Sequence, residues 1–207
     1  MPTPWLDIPL ADYELHMALP HVGQAKLIAD QLGALLVAHR PSSVAIVGCA
    51  GGNGFDRFAG TAVERVVGVD VNPRYIAVAR ERYASCVPKL ELVAADIQSE
   101  ATLFAPVDLI YAALLFEYLQ PAHAMRALRR HCRSNGVLAT LVQLPHDTVS
   151  AVSPSPYVSL QALEPVVQLM SADALRAHAE EVGFTQEASA IVMSPGGKEF
   201  ALQTFRA

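Results

Sequence analysis

The chain reads as an α/β protein: a doubly wound, mostly parallel seven-stranded sheet that closes on a C-terminal antiparallel β-hairpin. Three observations predict it. An apolar run at 43–47 empties into a loop of small residues, Gly48-Cys49-Ala50-Gly51-Gly52-Asn53-Gly54, as when a buried strand lets backbone approach a ligand at the carboxyl edge of a sheet. From there to residue 144 short β-rich runs alternate with helical patterns across short turns. After residue 183 two β-rich runs flank Ser194-Pro195-Gly196-Gly197-Lys198, a hairpin signal.

Taken in order, residues 1–19 are punctuated by Pro2, Pro4 and Pro9 and hold a polar-aromatic cluster, Tyr13, Glu14 and His16. Residues 1–40 are expected to be a lid segment plus a lead helix, whose Ala25, Ile28, Ala29, Leu32, Leu35 and Leu36 recur at helical spacing. Residues 41–207 form one ligand-binding domain. A short helix is expected around 56–59, its N-terminus facing the glycine loop. Strand two spans 65–70. Asn72-Pro73 then starts a helix, a capping residue before proline at the first helical position, with Ile76, Ala79 and Tyr83 inward. Strand three covers 90–94, and Asp96 follows it. Strand four is 107–111. Pro121 opens a helix with Met125, Leu128 and Cys132 inward, closed by Asn135-Gly136, and strand five is 137–144. Residues 145–170, with Pro145, Pro154, Pro156 and Pro165 among Ser and Thr, form a lid or substrate excursion over one sheet edge. Ser171 caps a last helix (Leu175, His178, Ala179, Val182 inward) before the hairpin.

Composition narrows the function. The 207 residues are 52% apolar and 17% charged, with net charge −5 and no basic run, which argues against a nucleic-acid surface. No apolar stretch is long enough to span a bilayer, and residues before Lys26 carry acids but no Lys or Arg, unlike a signal peptide. Three scattered cysteines without C-x-x-C suggest neither disulfides nor a metal site. A cytoplasmic chain acting on a small molecule is expected; pairing of the chain with itself stays open.

The loop is neither a dinucleotide fingerprint, since Ala50 and Arg57 break G-x-G-x-x-G, nor a phosphate-binding P-loop, since the Lys is missing. Asp70 ends the next strand about 20 residues on, where an acid meets ribose hydroxyls, and Asp96 ends the third, where it can accept from an exocyclic amine. A close-approach loop, a ribose acceptor and a base acceptor together suit a nucleoside without phosphate.

This set resembles the class I S-adenosylmethionine-dependent methyltransferases, over most of the chain. The glycine motif is similar at 44–54, the ribose-binding strand at 66–70, the adenine motif at 94–97, and the fourth and fifth strands at 108–113 and 136–144. The resemblance implies a Rossmann-like methyltransferase fold, S-adenosyl-L-methionine as cofactor, and methyl transfer to a small-molecule acceptor whose atom (O, N or S) is open. It implies that Gly48, Cys49, Ala50, Gly51, Gly52 and Gly54 line the methionine part, Asp70 holds the ribose, Val71 packs on adenine, Asp96 with the Ile97 amide reads its edge, and Ala112 faces the amino-acid moiety. Tyr13 is expected to touch ligand. For a hydroxyl acceptor, His146 or His16 is the candidate base. Two departures stand out: Ile46 where the family usually has an acid, and Ala50 for the second glycine. The Asp/Asn-Pro-Pro-aromatic motif of amino-group methylation is absent after Asp108. The rival readings are a non-catalytic nucleoside-binding relative and a Rossmann oxidoreductase using NAD(P).

Overall fold

A computed structural model describes residues 3–99, 101–146 and 150–207. The apolar runs pair into one seven-stranded sheet. Its strands are β1 (Ser43–Val47), β2 (Arg65–Asp70), β3 (Leu90–Ala94), β4 (Val107–Ala113), β5 (Cys132–Gln143), β6 (Thr185–Met193) and β7 (Glu199–Arg206), in spatial order β3-β2-β1-β4-β5-β7-β6. β1 to β5 pair in parallel, and β7 runs antiparallel to both β5 and β6. The strand order therefore reverses direction at β1 and β4, the crevice where open α/β sheets take ligands.

Helices cover both faces. α1 (Leu10–Ala18), α2 (Gln24–His39) and α3 (Pro73–Tyr83) lie on one side, α4 (Pro121–His131) and α5 (Ala172–Glu181) on the other. β1 is buried along its whole length, as a central parallel strand must be. The apolar stripe of α2 packs Ile28, Leu32, Leu35 and Leu36 against Val44, Ile46 and Phe58, while Met125 and Leu128 of α4 pack with Val107 and Ile110. Asn72 caps α3 by accepting from the Arg74 amide at 2.9 Å, and Ser171 caps α5 through the Ala174 amide.

The short helix expected around 56–59 is present as a four-residue 3₁₀ helix, Phe55–Phe58, with both phenylalanines turned into the core; at that length it gives the glycine loop no full helix N-terminus. Elsewhere the sequence pattern errs locally in three places. β4 runs two residues beyond its expected end. Cys132 begins β5 instead of ending α4, and Asn135-Gly136 sits in a bulge, the register jumping from Val107↔Cys132 to Leu109↔Val137. His178 is half-exposed beside Glu181. Apart from these, Asp108 lies at the amino edge of the sheet, opposite the glycine loop, where it accepts from the Ser42 and Ser43 amides, the Ser43 hydroxyl and Arg133.

The excursion after β5 is not loose. Residues 158–163 form a 3₁₀ turn whose Leu160 and Leu163 bury against Ile8, with Trp5, Tyr13 and Tyr118 around them. Residues 147–149 of this stretch lie outside the described residues. Among the described residues no helix is long and apolar enough to cross a membrane.

Candidate active site

β1 breaks at Gly48, whose φ of 77° a side chain would resist, and the loop is strapped to the tip of β2. The Gly48 and Cys49 amides both donate to the Val69 carbonyl, at 2.8 and 3.1 Å. Ala50, at φ 46°, donates its amide to Asp70 Oδ2 at 2.8 Å. Asp70 Oδ1 accepts from the Asn72 amide at 2.9 Å. Each oxygen of this 9% exposed carboxylate thus keeps lone-pair capacity beyond its loop bond. Burial raises the Asp70 pKa above the usual carboxylate range, against the pull of the two amides.

These strand tips surround a cavity of about 460 Å³, in the range of small-molecule sites. Gly48 and Ala50 from the β1 loop, Asp70 and Val71 from β2, and Asp96 and Ile97 from β3 line it. Leu114 and Leu115 reach it past β4, and Gln168 from the excursion. Asp96 accepts from the Gln98 amide at 2.9 Å, a local turn that leaves its carboxylate exposed at the rim. Neither Lys nor Arg occurs among the described residues lining the cavity.

The N-terminal residues close one side. Thr3, Pro4, Trp5 and Tyr13 line the cavity, and α3 holds them there. Asn72 Nδ2 donates to the Trp5 carbonyl and Tyr75 Oη to the Ile8 carbonyl, both at 2.8 Å. Arg74 donates to the Leu6 carbonyl, and Arg82 pairs with Glu14. Trp5 stands edge-on to both Tyr13 and Tyr118, with centroids 5.5 and 5.0 Å away. Burial, then Asp70, drives the Tyr13 phenol pKa upward, so it stays a neutral donor.

Of the residues expected at the ligand, Tyr13, Gly48, Ala50, Asp70, Val71, Asp96 and Ile97 come together around this cavity. Five others do not line it. A Cβ on Gly51 would meet Glu14 Oε1 at 2.5 Å, one on Gly52 the Tyr83 ring at 2.5 Å, and one on Gly54 the Leu32 side chain at 3.1 Å. Those glycines admit α1, α3 and α2, not a ligand. Cys49 is 2% exposed with its sulfur toward Gly68, and burial pushes its thiol pKa well up. Ala112 is buried within β4, which carries on to Ala113 before turning at Leu114, φ 52°.

Both candidate bases also miss the cavity. His16 is buried in a smaller neighbouring chamber, and His146 is exposed and lines neither space, the chain leaving the sheet once Leu144 has bonded to Glu199. Ile46, in the place of the family's acid, packs into the α2-side core. Glu14 cannot replace that acid, being committed to Arg82. Sequence reasoning missed Trp5, Gln120, His123 and Gln168, which reach the cavity through packing of segments distant in the chain.

Residues 44–136 match a family described as "Methyltransferase domain". The matched stretch runs from β1 through α4 and so holds the glycine loop and the tips of β2 and β3. No curated protein sequence matches the chain. Among solved structures it is similar to the N-methyltransferase NodS from Bradyrhizobium japonicum WM9 in complex with S-adenosyl-L-homocysteine, at 19% identity and TM-score 0.65, over 88% of this chain and 86% of that one. It is similar to magnesium protoporphyrin IX methyltransferase from Synechocystis PCC 6803 with the same ligand, at 15% identity and TM-score 0.67, over 90% and 84%. The [4+2]-cyclase SpnF is as near in fold, at 15% identity and TM-score 0.66, over 86% and 80%. At such identities the likeness is one of fold.

Proposed function

We propose that this protein transfers the methyl group of S-adenosylmethionine to a small molecule, the nucleoside lying across the tips of β1, β2 and β3. The observation that carries this is the cavity of about 460 Å³ whose buried acid, Asp70, retains acceptor capacity while neither Lys nor Arg is among the described residues lining it. A ribose diol is a natural partner for such a carboxylate. A pyrophosphate at the glycine loop would face the Asp70 carboxylate beside a single 3₁₀ turn, with neither Lys nor Arg among the described lining residues, which disfavours NAD(P).

In this reading Asp70 holds the ribose, Val71 and Ile97 pack against the base, and the Gly48–Ala50 backbone borders the methionine end. When bound, the cofactor supplies an electrophilic methyl on a sulfonium. This chain then positions the acceptor and excludes water. The anchored segment 3–19 acts as a lid, with Trp5 and Tyr13 as its inner wall.

Calorimetry with S-adenosylhomocysteine and, separately, NADH tests the proposal, joined to transfer of labelled methyl across a panel of small hydroxyl, amine and thiol acceptors. Heat with the first ligand alone and label on a panel member support it. Heat with NADH alone refutes it.

A further inference from the structure

A second chamber of about 50 Å³ adjoins the main cavity and shares Trp5, Tyr13, Leu114 and Tyr118 with it. It has room for a few waters or one small functional group. Glu117 enters it from the turn after β4, Gln143 from the end of β5, Lys198 from the β6–β7 turn and His16 from α1.

Glu117 is 3% exposed; its Oε1 accepts from the Gln143 amide at 2.7 Å, but Oε2 has no hydrogen-bond partner among the described residues. His16 is 6% exposed, and its Nδ1 has none among them either. Lys198 Nζ is already committed to Gln143 Oε1 at 3.2 Å and the Ala151 carbonyl at 2.5 Å. Buried polar atoms without partners are uncommon and ask for an explanation. Here two of them border one small space beside the proposed methyl donor.

We propose that this chamber receives the reacting group of the methyl acceptor, that the group is the hydroxyl of a phenol or enol, and that Glu117 Oε2 accepts its proton. The proposal rests on the main cavity being the S-adenosylmethionine site. As the hydroxyl reacts, its O–H bond breaks and the proton goes to Glu117. An oxygen lone pair forms the O–CH₃ bond. The S–CH₃ bond breaks with its electron pair left on sulfur, so a cation and a carboxylate are neutralised together. Burial raises the Glu117 pKa to about 7 despite Lys198, which suits a base working near neutrality.

Donor strength decides against nitrogen. A phenol or enol O–H gives the waiting carboxylate a stronger charge-assisted hydrogen bond than the N–H of a neutral amine does. A thiol is a weaker donor to the waiting oxygen. Val152, Leu160, Leu163 and Val167 supply the chamber's apolar walls around the reacting group.

The test is calorimetric titration of the protein, saturated with S-adenosylhomocysteine, with 4-chlorophenol and with 4-chloroaniline. The phenol is expected to bind and the aniline to bind more weakly. E117Q, which keeps the acceptor for Gln143, should weaken the phenol roughly 10-fold, as for a lost charge-assisted hydrogen bond. V152W, which fills the chamber and leaves the Glu117 carboxylate itself in place, should abolish phenol binding; neither substitution should change S-adenosylhomocysteine affinity. In infrared difference spectra the phenol should shift a carboxyl band that E117Q lacks. Phenol binding indifferent to both substitutions, or a preference for the aniline, overturns the chamber assignment alone. Failure of S-adenosylhomocysteine to bind the wild type overturns the underlying reading and this proposal with it.

Discussion

Replacing Glu117 by Gln should flatten part of the protein's pH–stability curve. Desolvation outweighs the pull of the Gln143 and Glu117 amides and, after them, of Lys198, and raises this carboxyl from 4.5 to about 7. Between those values the folded protein holds a proton that the unfolded chain has released, so stability falls as pH rises through the window and stays at its lower value above it. At 1.36 kcal/mol per unit, the shift corresponds to an upper bound of about 3 kcal/mol, of which relaxation around the charge leaves roughly 1–3 kcal/mol. E117Q should therefore match the wild type near pH 4.5 and exceed it by that amount near pH 7. His16 and His131, held below the usual histidine range mainly by burial, push the other way in the same region, but they are present in both proteins and leave the difference. Urea denaturation of the two proteins at half-unit steps across the window measures it. Parallel curves would refute the reasoning, because they would mean that Glu117 titrates alike folded and unfolded.

Other consequences are quicker to check. Lys198, lowered to about 8 first by burial, stays protonated below that value in both states; its cost is relieved only between pH 8 and 10.5, so K198M should remove a rise of stability there in the same denaturation assay. Ala50 sits at φ 46°, so A50V should cost about 2 kcal/mol in thermal melts, whereas A50G, trading strain of about 1–2 kcal/mol for chain entropy of about 0.5–1 kcal/mol, should be neutral or mildly stabilising. W5A removes both edge-on aromatic contacts of the lid and should weaken S-adenosylhomocysteine binding several-fold by calorimetry while moving Tm little. G68A would place a methyl 2.7 Å from Leu92 and 3.0 Å from the Phe55 ring, and should cost about 1–3 kcal/mol by denaturant titration.

What could be read from the chain follows the range of the forces involved. β2 and β3 were legible to the residue because alternating turn chemistry and β-branched runs act locally, and Asn72-Pro73 capped α3 as its chemistry requires. The places of Asp70 and Gly48 at the cavity were legible because an acid and a glycine that end apolar runs fall at the tips of buried strands. The roles of Gly51, Gly52 and Gly54 were not. Glycine signals close approach but not what approaches, and here it is Glu14, Tyr83 and Leu32. Nor could spacing alone bring His16, Glu117 and Lys198 around one chamber, since they lie on three segments that meet only when the hairpin turn docks against the connection between α1 and α2. That docking is tight: a Cβ on Gly196 would run into the His21 carbonyl.

The most direct measurement is a calorimetric titration of S-adenosylhomocysteine into D70N beside the wild type, with melting curves to confirm that the variant folds. Losing the carboxylate from both the ribose and the Ala50 amide should weaken binding roughly 30-fold or more, the worth of one charge-assisted hydrogen bond of about 2 kcal/mol. A folded D70N that binds the ligand as tightly as the wild type would contradict the placement of the nucleoside across these strand tips.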